Sequence, residues 1–339
     1  MTIINSTQIH LQSRPQGVPT HDNFETATIG LPDLGDTEVR VANDFISVDP
    51  YMRGRMSDAK SYSAPYEVGE VMTGGAVGHV IESRDPNLPE GTIVLHNLGW
   101  RDIAQGSSEI FRPIHPASDD IPLSLYFGLL GMPGRTAYVG LTRVARLQPG
   151  ETVFVSGAAG AVGTAVGQFA RLLGASKVYG SAGGPEKCAL ITQKYGFDEA
   201  IDYKAAPIRE QVNEVIGDDG LNVYFDNVGG DHLEAAIDVL APFGRVAMCG
   251  AIGQYNATEP QPGPDNMTKV LRQKLRIQGF IVGDYTDDLG DEFDTVVGNW
   301  FADGKLTYDE TVVNGIENSV DAFLGLLRGE NSGKMVVKI

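Results

Sequence analysis

Three glycines and one tyrosine concentrate the chemistry of this sequence. The stretch Thr152-Val-Phe-Val-Ser-Gly157-Ala-Ala-Gly160-Ala-Val-Gly163 spaces its glycines three apart. Val153, Phe154 and Val155 form the short apolar run of a buried parallel strand. Thr164 to Leu173 then sets Val166, Phe169, Ala170 and Leu173 at helical spacing. Strand, glycine turn and helix in that order suit a dinucleotide. The glycines let the backbone approach a pyrophosphate, and the helix N-terminus holds its charge with free N–H groups. An ordinary strand-to-helix turn fits these residues too, because this spacing is looser than G-x-G-x-x-G.

The next strand, Lys177 to Ser181, discriminates between cofactors. An NAD site places an acidic residue at the end of that strand to hold the ribose hydroxyls. No Asp or Glu occurs from Thr152 to Pro185, and Lys187 follows just inside a new helix. A missing carboxylate and a nearby cation favour a 2′-phosphate, hence NADP. Lys187 alone also reads as a solvated helix-start lysine.

Three later strand ends carry Asp226-Asn-Val-Gly-Gly230, Cys249-Gly-Ala-Ile-Gly-Gln-Tyr-Asn256 and Phe280-Ile-Val282. Ligands bind at carboxyl strand ends in open α/β sheets. Tyr255 is the loop residue there able to donate a proton at neutral pH. An exposed loop tyrosine is the competing reading. A catalytic zinc needs three protein ligands, typically Cys and His. The N-terminal half has no cysteine, and His10, His21, His79, His96 and His115 are scattered without ligand spacing. No metal is expected.

The elements that must position these groups follow from periodicity. Residues 1–125 read as a β domain, with strands at Thr37–Ala42, Phe45–Val48, Gly75–Glu82 and Thr92–Leu95 and no helix of any length. Pro122–Gly131 and Arg135–Arg146 read as helical pieces. Residues 126–293 then alternate six strands with helices, which predicts a doubly wound parallel sheet. Residues 294–339 carry two helices and a last strand, Lys334–Ile339, expected to return to the β domain.

The length of 339 residues favours two domains, and a net charge of −18 argues against nucleic acid and anionic membranes as partners. The two cysteines, Cys188 and Cys249, make no disulfide framework, which fits a reducing cytoplasm. The N-terminal Met1–Ser6 shows no signal-peptide pattern, and no run of about 18 apolar residues exists.

Taken with Val48-Asp-Pro-Tyr-Met-Arg53, Gly131-Met-Pro-Gly-Arg-Thr-Ala-Tyr138, Glu186-Lys-Cys188 and Gly279-Phe-Ile-Val282, these motifs carry a resemblance. Over nearly its whole length the chain resembles the zinc-free medium-chain dehydrogenase/reductases, in the group of prostaglandin reductase, plant alkenal double-bond reductases and bacterial curcumin reductase. The resemblance implies an α/β fold: a GroES-like β-barrel domain plus a Rossmann domain. It implies NADPH and reduction of the C=C bond of enones or enals. Gly160, Ala161, Val162 and Gly163 would meet the pyrophosphate, and Lys187 and Tyr203 the 2′-phosphate. Asn227, Cys249, Gly250, Ala251, Ile252, Gly253, Tyr255, Phe280, Ile281, Val282 and Asn331 would line the rest of the cofactor. Tyr255 matches the tyrosine assigned to the carbonyl oxygen, and Tyr51, Met132 and Tyr285 are candidates for the apolar wall. Gly253 stands where relatives usually have Ser, and Ser57 to Glu70 is not closely matched. A homodimer acting on a small-molecule substrate is expected. Quinone reduction within the same superfamily and a non-catalytic NADPH-binding protein are the alternatives.

Overall fold

A computed structural model describes residues 4–115, 121–217 and 220–339. Residues 1–3 of the N-terminal stretch read above lie outside that range. The chain divides into two compact units. The first comprises residues 1–127, 310–331 and 335–339, and the second residues 128–309 and 332–334.

In the first unit β1 (Asn5–Leu11) and β2 (Phe24–Gly30) form an antiparallel pair. The larger sheet uses β3 (Glu38–Ser47), β4 (Ala76–Ser83), β5 (Ile93–His96), β6 (Ile103–Ser107) and β7 (Arg112–Pro113). A single helix turn, α1 (Tyr51–Arg55), follows β3. The two strands expected between Thr37 and Val48 are one strand, β3, whose pairing with β4 shifts register at Arg40/Val41 and Asn43/Phe45. Asn43 sits at the second shift. Its amide donates to the Arg101 carbonyl at 2.8 Å and its Oδ1 faces His96 Nε2 at 2.9 Å. That exchange replaces ladder bonds by side-chain bonds and lets the strand bend.

The second unit begins with α2 (Met132–Val139), preceded by only a 3-10 turn over Leu123–Phe127, where a helical piece was expected to run to Gly131. Pro122, Gly128 and Gly131 interrupt that segment. A π-helical turn, Gly140–Val144, continues α2, and Ala145 N–H reaches back to the Gly140 carbonyl at 2.8 Å. A Cβ on Gly140 would lie 2.3 Å from the Phe225 ring, so the widened turn rests directly on the sheet.

Then β8 (Thr152–Val155), α3 (Ala161–Leu172), β9 (Lys177–Ala182), α4 (Pro185–Lys194), β10 (Glu199–Asp202), α5 (Ile208–Val215), β11 (Leu221–Asp226), α6 (Gly230–Val239), β12 (Leu240–Met248), α7 (Thr268–Gln273) and β13 (Arg276–Gly279) alternate as the periodicity predicts. The six strands are parallel, in the order β10-β9-β8-β11-β12-β13. Both faces are covered. Val153, Val155 and Phe225 pack in one core, Phe154, Tyr179 and Tyr224 in the other. The order reverses between β8 and β11, so the crevice for a ligand opens at their carboxyl ends.

Helices α8 (Thr286–Leu289) and α9 (Glu292–Ala302) stay in this unit, and the chain remains there to Asp309 rather than leaving at residue 294. It returns to the first unit with β14 (Glu310–Asn314), α10 (Ser319–Leu327) and β15 (Lys334–Lys338). Val336, Val337 and Lys338 of β15 pair antiparallel with β3.

The third glycine of the turn is fixed by packing. A Cβ on Gly163 would lie 2.4 Å from the Gly157 carbonyl oxygen and 2.6 Å from Ala158 Cα, both backbone atoms. Gly163→Ala should therefore cost about 1–3 kcal/mol of stability through overpacking. Urea unfolding measures this, and a variant as stable as the parent would refute the assigned packing.

Candidate cofactor site

The glycine turn leaves β8 at Ser156. Gly157 adopts φ +60°, a conformation glycine takes at little cost, and Gly160 caps α3. A Cβ on Gly160 would meet only the Gly157 oxygen, at 3.4 Å. Gly163 is thus required by the protein's own packing, whereas Gly160 leaves space above the turn. The N–H groups of Ala161, Val162 and Gly163 open the helix and have no intrahelical acceptor. A pyrophosphate fits such a cradle. The turn is braced from behind by Gly333, whose N–H donates to the Ala159 carbonyl at 2.8 Å.

The second cluster surrounds Gly183, just beyond β9. A Cβ there would lie 2.6 Å from the Tyr203 hydroxyl and 2.9 Å from Lys204 Cε. Asp202 holds the neighbouring loop, its Oδ1 accepting from the N–H groups of Gly184 and Lys204, each at 2.9 Å. Lys187 comes to the same place from α4. Its pKa is lowered from the usual lysine value, first by burial and then by repulsion from Lys204. Two ammonium groups held close repel each other, and an anion placed between them relieves that repulsion. The geometry suits a 2′-phosphate. Tyr203 is 40% exposed and stands edge-on to His232, ring centroids 5.4 Å apart, leaving part of the phenol open to a ligand.

Lys204 was missed in the sequence. The signal was present, since it directly follows Tyr203, but nothing local shows that the end of β10 folds back onto the loop after β9.

The third cluster lies at the ends of β11 and β12. Asn227 donates from Nδ2 to the Ser156 carbonyl at 2.7 Å and from its backbone N–H to Ser156 Oγ at 3.0 Å. Its own carbonyl accepts from Ile252 N–H at 3.2 Å, and the Val228 carbonyl from Gly253 N–H at 3.2 Å. The loops carrying Asn227 and Cys249–Tyr255 are therefore tied to each other and to the glycine turn. Tyr255 follows a 3-10 turn, Ile252–Gln254, and is half-buried. Its hydroxyl oxygen lies 3.4 Å from the Cβ position of Gly250, beside the Asn227 carbonyl. Burial and the nearby Asp226 push the Cys249 thiol up to about 12, so it stays protonated and unreactive at neutral pH.

Phe280, Ile281 and Val282 do not end the sixth strand as expected. β13 stops at Gly279, and Val282 opens a 3-10 turn to Tyr285. Phe280 N–H makes a last bond to the Met248 carbonyl, at 3.3 Å, and its ring turns inward against Phe225 and Tyr285. α2, which begins at Met132, packs against that turn. Phe280 and Tyr285 are in ring contact, and Met132 belongs to the same unit, while Tyr51 and Asn331 belong to the other unit.

The five histidines of the N-terminal half do not converge. His96 is buried with both nitrogens used, Nε2 against Asn43 and Nδ1 accepting from Leu98 N–H, and burial pushes its pKa down to about 3. His10 contacts the Gly69 carbonyl and Gln8, His21 contacts Asp321, and His79 contacts Asp44. Among the described residues no group of three or more His, Cys, Asp or Glu side chains is placed to hold a metal.

The cation pair leads to a test. Lys204→Ala and Lys187→Ala should each raise the KM for NADPH about tenfold and leave NADH use nearly unchanged, the lower end of a charge-assisted contact. Because Lys204 lowers the Lys187 pKa, NADPH affinity should fall on the alkaline side before an ordinary lysine would deprotonate. Lys204→Ala should move that alkaline arm to higher pH. Steady-state KM values for both cofactors across pH measure this, and equal losses with NADH would show a merely structural role.

Comparison with known proteins bears on the family and the fold. Residues 7–114 match the family model described as N-terminal domain of oxidoreductase, and residues 161–299 that described as zinc-binding dehydrogenase. The NADPH-dependent curcumin reductase of Escherichia coli is 40% identical over 335 residues, covering 97% of this chain and 95% of that protein. Prostaglandin reductase 1 of Rattus norvegicus is 42% identical over 330 residues, 97% of each chain. The crystal structure of CurA from Vibrio vulnificus in complex with NADPH superposes with a TM-score of 0.92 at 42% identity, covering 98% of each chain. Identity of 40% or more over nearly the whole of each chain, with the same fold, places the chain in the medium-chain dehydrogenase/reductase family, in the group of the curcumin and prostaglandin reductases.

Proposed function

We propose that the protein is an NADPH-dependent reductase of the C=C bond of α,β-unsaturated ketones or aldehydes. The observation that carries this reading is the Tyr255 phenol lying over Gly250, in a loop tied to Asn227, in the same unit as the Lys187–Lys204 pair. The activities for which the related curcumin and prostaglandin reductases are named support it. In this reading the second unit holds NADPH, and the first supplies the substrate domain. Gly160 to Gly163 hold the pyrophosphate, Lys187, Tyr203 and Lys204 the 2′-phosphate, and the loops at Asn227, Cys249–Tyr255 and Phe280–Val282 the nicotinamide half.

When bound, NADPH supplies a hydride for the β-carbon of the substrate. The protein's residues supply placement and charge stabilisation. The Asn227 and Gly250 loops, pinned by backbone bonds, present a fixed surface to a flat ring. Negative charge grows on the substrate carbonyl oxygen as the enolate forms. Tyr255 donates a hydrogen bond to that oxygen, where such help lowers the barrier most. Phe280, Tyr285 and Met132 provide an apolar boundary, and a drier site strengthens the tyrosine's effect. The α-carbon then takes a proton from solvent or a nearby hydroxyl.

We also propose a homodimer in the cytoplasm. Among the described residues β13 pairs only with β12, so one edge of the six-stranded sheet carries unpaired backbone groups suited to a second copy. A solution mass equal to one 36.3 kDa chain would refute the dimer.

Tyr255→Phe removes one donor and keeps the ring. A single oxyanion donor contributes about 10²–10³ in kcat, and sharing with the cofactor's ribose hydroxyl should reduce the loss to roughly 10- to 100-fold. NADPH affinity should hardly move. NADPH oxidation against a panel of enals, enones and quinones checks both points. A Phe variant with full kcat on its best enone would remove Tyr255 from the chemistry, and turnover of quinones alone would replace the proposed substrate class.

A further inference from the structure

One buried acid in this unit has no part in the chemistry above. Asp226 is fully inaccessible at the end of β11. Its Oδ1 accepts from the Tyr224 hydroxyl at 2.8 Å, from Gly229 N–H at 2.8 Å, from Val228 N–H at 3.0 Å and from Ser156 Oγ at 3.3 Å. Its Oδ2 is buried and without a hydrogen-bond partner. Its backbone carbonyl accepts from Cys249 N–H at 2.8 Å and Gly250 N–H at 3.0 Å. Ser156 Oγ in turn accepts from Asn227 N–H, and it lies 2.9 Å from the Tyr224 hydroxyl oxygen. One residue thus joins the glycine turn after β8, the Asn227–Gly229 loop and the Cys249–Tyr255 loop. Nothing in this network reaches the Gly183 loop, where Lys187, Tyr203 and Lys204 meet.

Two features separate an acceptor from a charge at this position. All four donors converge on one oxygen, and the other touches none. Burial also raises the carboxyl's pKa against the lowering effect of those donors. A group needed for its charge would have a cation or donors at both oxygens. A group needed as an acceptor needs only the one.

We propose that Asp226 is a positioning residue for the nicotinamide half of the site, acting through Oδ1 as a hydrogen-bond acceptor and not through a negative charge. This rests on the reading of the unit as an NADPH-dependent reductase. Asp226 touches neither substrate nor reacting atoms. It sets where Asn227, Gly250 and, through the loop, Tyr255 stand, and leaves the adenosine half untouched.

The test compares Asp226→Asn with Asp226→Ala in the full-length protein. Four quantities are measured: kcat and KM with the best enone, the Kd of NADPH, and the Kd of adenosine 2′,5′-bisphosphate, which probes the adenosine half. Asn keeps an acceptor at Oδ1 and places its amide at the unpartnered position. Asp226→Asn should stay within about threefold of the parent in kcat and NADPH Kd, with an unchanged pH–rate profile. Asp226→Ala should lose at least about tenfold in kcat and in NADPH affinity and bind adenosine 2′,5′-bisphosphate as the parent does. A tenfold or greater loss in the Asn variant would overturn the acceptor role, whether or not the Ala variant folds. Equal weakening of both ligands in a folded Ala variant would show a general structural role and also overturn the proposal. Parent protein that binds no NADPH and turns over no enone would refute the underlying reading; a working parent with unaffected variants would refute only the role of Asp226.

Discussion

Backbone N–H groups crowd the carboxyl ends of β8, β11 and β12, and the acceptors that satisfy them are few. Asp226 and Ser156 accept from the N–H groups of Asn227, Val228, Gly229, Cys249 and Gly250. Buried amides without partners are costly, so this set of bonds forms nearly whole or not at all. The loops cannot shift one at a time. Three segments far apart in sequence behave as one rigid edge, and the crevice at the switch between β8 and β11 keeps a defined shape. Gly163 adds the same rigidity from the helix side, because α3 approaches the turn closer than any side chain permits.

Electrostatics works locally against the whole. The chain carries a net charge of −18, which repels an anionic cofactor at long range. Within a Debye length of about 8 Å the balance inverts. Lys187 and Lys204 stand together at the loop after β9, where Asp202 has Oδ1 engaged with backbone N–H groups. The acidic stretch after β13 is also less available than its composition suggests. Arg143 pairs with Asp288 and Glu292, and Arg135 with Asp294.

Several buried polar groups of the β domain are paired. Arg40 is buried and meets Glu82, the Pro32 carbonyl and Gln105. His96 and Asn43 satisfy each other where β3 changes register. These residues shape the sheet. His96 has a side chain that metal sites use, yet both its ring nitrogens are spent on structural contacts.

The amino-acid sequence by itself determined the alternation of strands and helices after residue 150, the glycine turn, the lack of any acidic residue from Thr152 to Pro185 and the return of the last strand. Each is written in local periodicity or in residue type. It left β1, β2, β6 and β7 unread. β2 is mostly exposed and β6 contains glycine, so pairing and not hydrophobic alternation makes them strands. The end of β13 was misplaced because Phe280 is as apolar as a strand residue, and only its contact with Phe225 shows the chain turning inward. Lys204 beside Lys187, Tyr255 over Gly250 and the convergence on one oxygen of Asp226 were decided by the tertiary structure alone. Those contacts join residues brought together by parallel strands and their crossovers, and parallel pairing leaves no local mark of which strand ends will be neighbours.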